Sequence, residues 1–353
     1  MGQASTGQAR IVSVQKAVPP QYIGQDEVIE SVLGDLYGGD LIGLAELFSR
    51  SQVRKRHYVW DPRKVLAGSM PMIGDRMRAW ERHVLELGED LVRQSLAGLD
   101  PDRIGTFVMV SSTGYTNPGP EVTLAKQFGL RPDLRRTFIG HMGCYAAFNG
   151  IKVALDAVAA RPAELALVGC VELSSLHMHD EATIEQAVVH SLFGDAGGMV
   201  LISAAPDAVG PAIIGTHTET HYASSDAMTL RIHDESFRMT LSPTVPHLLA
   251  RAIGPFLERL LAPAGLTAAD VRHWGVHPGG PKIIDLVGRM LKLDDAQLRP
   301  SREVLANYGN CASATILLIL HQIVSVSRPG PGEYGVFLAF GPGLTIESML
   351  VRF

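Results

Sequence analysis

Short apolar segments alternate with longer helical segments along almost the whole chain, and this alternation is the feature that most restricts the possible folds. Thr106–Ser112 and Glu164–Glu172 are apolar runs of the kind found in strands that are buried on both faces. Tyr145–Arg161, which lies between them, has helical periodicity and ends before Pro162. Strands that alternate with helices predict an α/β fold whose sheets are covered by helices on both sides.

The same alternation continues in the second half of the chain. Apolar runs at Trp274–Val276 and Val336–Phe340 are separated by further helical segments. The length of 353 residues corresponds to about two domains at roughly 150 residues each. Ala204–Gly210 is the best candidate for the boundary, so we predict two halves at 1–208 and 209–353.

Composition and charge exclude several classes of protein. Hydrophobic residues make up 46% of the chain and charged residues 19%, which favours a large buried core over disorder. A net charge of −5 offers no basic excess for general nucleic-acid binding. No apolar stretch approaches the ~20 residues of a membrane span, and the chain opens without a signal pattern. The chain has only three cysteines, a small and odd number that does not suit a disulfide framework and favours a reducing compartment. We therefore expect a cytoplasmic enzyme.

Cys144 is the cysteine whose position indicates chemistry. It follows Gly143 and is predicted in the first turn of the helix Tyr145–Arg161. A helix N-terminus lowers the pKa of a thiol, so a reactive thiolate is expected there, and the glycine permits a tight turn before the sulfur. The alternative is a small buried core residue, which is the more common role of an isolated cysteine. Cys170 fits that role better because it lies within an apolar strand, and Cys311 is ambiguous.

A nucleophilic thiol needs a base and donors that stabilise negative charge on oxygen. His277 follows the predicted strand Trp274–Val276 and precedes Pro278–Pro281, a loop with two glycines. Strand-end loops are where α/β folds present catalytic groups, although an ordinary turn histidine is the alternative. Asn310 lies immediately before another apolar helix, where a helix N-cap is the ordinary role.

Two further motifs are weaker. Ser191–Gly198 is rich in glycine before a strand and contains Phe193, which is either a core aromatic or a cavity wall. It lacks the patterns of a phosphate-binding loop. His177–Asp180 could suggest a metal site, but no further ligands occur at useful spacing, so we predict a solvated loop and no metal.

Five motifs, in this order, resemble those of type III polyketide synthases, the chalcone synthase-like family: GHMGCYAA, SLFGDAGG, GVHPGGPKIID, NYGNCASAT and FGPGLTIE. The resemblance runs from the first strand to Phe353. It implies a thiolase-like α/β fold of two duplicated halves in a five-layered αβαβα arrangement, acting as a homodimer on acyl-CoA substrates without a cofactor. It also implies a catalytic triad of Cys144, His277 and Asn310, with Phe193 at the mouth of the cavity.

The same resemblance implies several substrate-binding residues. Met239 falls at the position of a second gatekeeper aromatic, and Leu230 falls where plant members have a glycine in the cavity. Ser174 lies in a segment similar to that of bacterial members that make alkylpyrones and alkylresorcinols. Gly279 and Gly280 would let a ligand approach the backbone beside the catalytic histidine.

Two other positions depart from the plant pattern. Asn117 falls where plant members carry a methionine in the loop that crosses the dimer. Arg50 is the one clear match to the basic residues that hold coenzyme A in plant members. The sequence therefore assigns no further residues to the binding site for the nucleotide phosphates.

The resemblance implies repeated decarboxylative condensation of malonyl-CoA onto an acyl-CoA starter, followed by cyclisation to alkyl α-pyrones or alkylresorcinols. One alternative is an enzyme similar to ketoacyl-carrier-protein synthase III, which shares the fold and the triad. The continuation Pro278–Pro281 favours the polyketide family. A second alternative is a thiolase-fold partner that only binds acyl chains, and the presence of all three triad residues disfavours it.

Overall fold

The computed structural model describes residues 7–30, 41–63 and 71–353, and these fold as alternating strands and helices. The strands are β1 Arg10–Ala17, β2 Tyr22–Gly24, β3 Lys55–His57, β4 Ile104–Ser111, β5 Arg135–Gly140, β6 Leu165–Leu173, β7 Asp195–Ser203, β8 Ala212–Thr220, β9 Met228–Ile232, β10 Phe237–Leu241, β11 Val271–Val276, β12 Tyr334–Gly341 and β13 Thr345–Arg352. The helices are α1 Gln25–Val28, α2 Leu41–Arg50, α3 Ile73–Ser95, α4 Pro120–Gln127, α5 Ala146–Ala160, α6 Ile184–Leu192, α7 Val245–Leu261, α8 Pro281–Leu291, α9 Asp295–Tyr308 and α10 Ala314–Gln322. In this part of the chain, no helix is both long and apolar enough to cross a bilayer.

One large sheet runs through both halves, in the strand order β11-β12-β13-β8-β1-β7-β6-β4-β5. In the first half, β4 and β6 are parallel, whereas β7 is antiparallel to both of its neighbours, β6 and β1. The second half repeats this pattern, since β11 and β12 are parallel and β13 is antiparallel to both β12 and β8. A single residue pair, Arg10 with Ala212, joins β1 to β8. The repeat is one of connectivity, and the boundary at 208/209 stays a prediction.

Each half of this sheet has an outer face covered by helices, and further helices lie between the two halves. Helix α3 packs on the first half through buried Trp80, and α7 packs on the second half through buried Phe256. Helices α5 and α10 share one buried cluster with strands of both halves, which includes Phe148, Leu317 and Phe337. The layers therefore follow the order αβαβα of the thiolase-like fold.

Helix α5 approaches the sheet closely because Gly150 has no side chain. A Cβ atom at Gly150 would lie 2.7 Å from Val168 Cγ1 and 3.2 Å from Val110 Cγ2. The turn before this helix contains Cys144 and begins at Gly143, whose φ of +75° lies in the left-handed region that glycine adopts readily. Packing of α5 therefore fixes the position of the cysteine turn.

Some elements differ from those predicted. Helical periodicity over Gln25–Leu36 predicts a helix there, which the structure describes as α-helix only from Gln25 to Val28; 31–40 lie outside the described residues. Helix α9 was not predicted, because Pro300 within it usually indicates a break. The apolar run Ser313–Val326 predicts one further helix; α10 ends at Gln322, where a wider π-helical turn follows.

We expect Gly150→Ala to lower the free energy of unfolding by about 1–3 kcal/mol, because the added methyl group must displace two valines in a close-packed contact. Gly74→Ala in helix α3 is the matched control, since its Cβ would have only Arg78 Nη1 nearby, at 3.6 Å. This control should be neutral or stabilising by up to about 1 kcal/mol. Urea denaturation measures both, and equal effects would contradict the packing described here.

Candidate active site

Cys144 lies where two cavities meet. The first, which we call the histidine-lined cavity, has a volume of about 90 Å³ and is bordered by His57, His177, His179, His190 and Phe237. The second, which we call the apolar cavity, has a volume of about 420 Å³ and is bordered by Val188, Leu192, Leu241, Val245 and Leu249. Both cavities share Cys144, Val189, Phe193 and Met239. These shared residues therefore form the boundary between them.

The Cys144 thiol is almost fully buried, and its exposed fraction is 4%. Burial raises its pKa to about 12, and the negative charge of Glu172 adds to the rise. A hydrogen bond from Asn310 opposes the rise but is the smaller effect. The predicted depression of this pKa is therefore wrong, because loss of hydration outweighs the donors at the turn.

His277 lies in the loop after β11 and is held there by its backbone. Its N–H donates to the carbonyl of Leu338 at 2.8 Å, and its carbonyl accepts from Gly279 N–H at 3.1 Å. The ring is fully buried, and neither ring nitrogen has a hydrogen-bond partner among the described residues. Burial lowers the pKa of His277 to about 3. The imidazole is therefore neutral at pH 7, with one lone pair and one N–H available.

Asn310 is fixed beside Phe193 by a short parallel bridge between their backbones. Its N–H donates to the carbonyl of Leu192 at 2.7 Å, and its carbonyl accepts from Gly194 N–H at 3.1 Å. Its side-chain Oδ1 accepts from Ala312 N–H at 2.9 Å. Asn310 is thus not the N-cap of α10, and its amide nitrogen is oriented to donate to the cysteine sulfur.

A buried carboxyl group that the sequence analysis did not assign to the site lies next to the cysteine. Glu172 accepts hydrogen bonds from Ser112 N–H at 2.9 Å and Thr113 Oγ1 at 3.0 Å, and also from Ser313 Oγ. Burial raises the pKa of Glu172 to about 7. The signal in the sequence was an acidic residue at the end of the otherwise apolar strand β6.

His177 and His179 were predicted in a solvated loop, and this prediction is wrong. His179 has an exposed fraction of 3%, and His177 borders the same cavity. The His177 ring lies between two backbone groups, with Nε2 2.6 Å from the carbonyl of Thr113 and Nδ1 3.1 Å from Phe237 N–H. These hydrogen bonds and a stacked contact with Phe237 replace the lost hydration.

The other predicted substrate-binding residues divide into two groups. Three border a cavity: Ser174 and Leu230 the histidine-lined cavity, and Gly279 the apolar cavity. Three border neither cavity: Gly280, Asn117 and Arg50. Gly280 precedes helix α8 with a φ of +153°, Asn117 is exposed, and Arg50 is exposed and paired with Glu46.

Comparison with known proteins places this site in a family. The family models for chalcone and stilbene synthases match residues 1–206 with the N-terminal domain and 217–353 with the C-terminal domain. The alpha-pyrone synthesis polyketide synthase-like Pks18 of Mycobacterium tuberculosis is 31% identical, over 97% of this chain and 90% of that protein. The 1,3,6,8-tetrahydroxynaphthalene synthase of Streptomyces peucetius subsp. caesius is 32% identical, over 97% and 92%.

Solved structures agree with this placement. The crystal structure of PKS-I from the brown alga Ectocarpus siliculosus superposes with a TM-score of 0.92 at 28% identity, covering 99% of this chain and 100% of that one. The type III polyketide synthase domain of Steely1 from Dictyostelium superposes with a TM-score of 0.90 at 25% identity, covering 98% and 99%. The chain therefore belongs to the chalcone and stilbene synthase family and is a type III polyketide synthase, an acyltransferase that catalyses decarboxylative condensation.

Proposed function

We propose that Cys144, His277 and Asn310 together carry out the condensation of malonyl-CoA onto an acyl-CoA starter. The observation that carries this proposal is that all three side chains border the apolar cavity, while Cys144 also opens to the histidine-lined cavity. A substrate that enters through the apolar cavity would reach the nucleophile and both donors. A chain attached to the sulfur would then extend into the histidine-lined cavity.

In the loading step, the neutral His277 imidazole accepts the Cys144 proton as the sulfur attacks the thioester carbon of the starter. A new sulfur–carbon bond forms, and the bond to the coenzyme A sulfur breaks. The imidazolium returns the proton to the departing coenzyme A thiolate. This sequence starts from the neutral thiol and the neutral imidazole, the two forms that burial favours.

In the extension step, the N–H groups of His277 and Asn310 donate to the thioester oxygen of malonyl-CoA. The bond to the carboxylate breaks, carbon dioxide leaves, and the donors stabilise the enolate oxygen. The enolate carbon attacks the acyl group on Cys144, and the thiolate leaves. The chain is now two carbons longer and is carried by coenzyme A. Phe193, on the boundary of both cavities, supplies an apolar wall that disfavours the charged carboxylate.

We propose alkyl α-pyrones or alkylresorcinols as products. Met239 supports this, because a flexible thioether at the boundary allows an unbranched chain to pass. The relative from Mycobacterium tuberculosis is itself described as an alpha-pyrone synthesis protein. Leu230 acts against a long chain, since it adds bulk to the histidine-lined cavity. The starter, the number of extensions and the mode of cyclisation depend on the cavity volume that these two residues leave.

We propose a cytoplasmic homodimer that uses acyl-CoA and malonyl-CoA as substrates and needs no metal or organic cofactor. Among the described residues, β5 is an edge strand that pairs only with β4, which leaves one edge for a second copy. Tyr115 and Met142 follow these two strands and are exposed apolar residues. Asn117 lies in the same loop as Tyr115.

Arg50, which is exposed on α2, is a proposed contact for the phosphates of coenzyme A.

Cys144→Ala is expected to abolish chain extension, because no acyl group can be held, while malonyl-CoA decarboxylation persists in part through His277 and Asn310. Cys170→Ala is the matched control, since Cys170 is buried within β6 and borders neither cavity. Mass spectrometry of products from malonyl-CoA and a starter measures both variants. Full-length polyketide from Cys144→Ala would remove Cys144 from its proposed role.

Asn310→Ala is expected to lower malonyl-CoA decarboxylation by ~10²–10³, the usual cost of losing one oxyanion donor. Cys144 should still be acylated by the starter, which intact-protein mass spectrometry detects. Asn307→Ala is the control, because Asn307 lies nearby on α9 and borders neither cavity. Its side-chain Nδ2 donates to the backbone carbonyl of Glu303. Normal decarboxylation together with an unacylated Cys144 would reverse the proposed roles.

We expect kcat/KM to rise with the length of an unbranched acyl-CoA starter until the chain meets the cavity wall. Each buried CH₂ contributes ~0.8 kcal/mol, or about fourfold. Leu230→Ala should move the optimum to a longer chain, because it enlarges the histidine-lined cavity. A flat or falling series, or a preference for an aromatic starter such as coumaroyl-CoA, would refute the long-chain proposal and leave the enzyme class unaffected.

A further inference from the structure

We propose that His177 is a positioning residue that holds the β9–β10 hairpin against the nucleophile turn, and that it thereby sets the length of the polyketide product. This inference rests on the proposed function. It concerns a residue that takes no part in the proposed chemical steps. Its evidence is the set of contacts that His177 makes with the hairpin.

The two hydrogen bonds of His177 define its protonation and orientation. Phe237 N–H donates to Nδ1 at 3.1 Å, so that nitrogen must carry a lone pair. The proton of the neutral ring is then on Nε2, which donates to the carbonyl of Thr113 at 2.6 Å. The ring therefore links the first residue of β10 to the segment that follows β4.

Ring contacts clamp the same position from two sides. Phe237 stacks on His177 with ring centroids 4.2 Å apart and an interplanar angle of 11°. The ring centroids of Phe237 and His141 are 5.5 Å apart. His141 lies three residues before Cys144, in the loop that leads to the nucleophile turn. The start of β10 is thus tied to both the Thr113 segment and the cysteine loop.

Among the described residues, the hairpin is a separate two-stranded sheet. Backbone hydrogen bonds hold its other parts, from Gly343 N–H to the carbonyl of Met228 and from Ile73 N–H to the carbonyl of Asp234, so the start of β10 is the part that depends on His177. Isolated two-stranded hairpins are marginally stable in water. Two other contacts of β10, from Arg238 to Glu181 and from Leu241 N–H to Glu185, involve exposed side chains. The contacts of His177 are the less solvated ones, so they contribute more to holding the strand.

Movement of the hairpin would change the boundary between the cavities. Phe237 and Met239 are two residues apart on β10, so they lie on the same face of the strand. Met239 pairs across the hairpin with Leu230, and both border the histidine-lined cavity. A hairpin released at Phe237 would therefore shift both residues and enlarge the space in which the chain grows.

Two variants of His177 distinguish positioning from simple filling of space. His177→Phe keeps the ring and its stacking but loses both hydrogen bonds, whereas His177→Gln can accept from Phe237 N–H and donate to Thr113. His273→Phe is a matched control, because His273 pairs with Glu333 and borders neither cavity.

We expect His177→Phe to shift the triketide-to-tetraketide ratio about tenfold, the effect of losing a buried hydrogen bond. His177→Gln and the control His273→Phe should both give a ratio within about twofold of that of the unmodified enzyme. In each of them the side chain at position 177 can still bond both Phe237 N–H and the Thr113 carbonyl. A shifted His177→Gln with an unchanged His177→Phe, or unchanged ratios in both, would overturn the inference.

Hydrogen exchange supplies a readout that does not need polyketide formation. The Phe237 amide should exchange faster in His177→Phe and stay protected in His177→Gln. If the unmodified enzyme makes no polyketide, the proposed function fails, and this exchange pattern still tests the anchor. Should His177→Phe fail to fold, His177→Leu replaces it, since leucine also makes neither hydrogen bond, and the same tenfold shift is expected. An unchanged ratio in His177→Leu would overturn the inference.

Discussion

Removal of water from around Cys144 and His277 is the constraint on which the rest of the site depends. Burial raises the thiol pKa to about 12 and lowers the imidazole pKa to about 3, so both groups are neutral at rest. In the proposed mechanism, the proton moves from sulfur to nitrogen as the thioester is attacked. The same low polarity strengthens each hydrogen bond that Asn310 and His277 donate to a developing oxyanion.

The αβαβα layers provide this dry environment. Helix α5 is buried between the two halves of the sheet, and Gly150 lets it approach β4 and β6 closely. Cys144 is placed at the turn before that helix, at the depth where the two cavities meet. A shift of α5 would move the nucleophile relative to His277 and Asn310, which belong to the second half of the chain. The packing that stabilises the middle layer therefore also sets the geometry of the site.

The two cavities differ in chemical character, and this difference suits the proposed reaction. The apolar cavity would bring the malonyl thioester to the donors and would exclude water from the enolate. The histidine-lined cavity offers hydrogen-bonding groups, such as Ser174, to a chain that gains a carbonyl at each extension. Met239 and Phe193 lie between the two cavities. In our proposal, the position of the hairpin that carries Met239 sets the space left for the chain.

Periodicity and chain-breaking residues were enough to predict the alternation of strands and helices, because short-range periodicity and proline or glycine stops are local properties. Its ordered motifs also indicated the family, and they predicted that Phe193, Met239, Ser174 and Leu230 border a cavity. Local patterns could not predict the anchoring of His177, since its partners Thr113 and Phe237 are 64 and 60 residues away. The neutral state of Cys144 was likewise decided by tertiary structure, because desolvation depends on the layers packed around the turn and not on the turn itself.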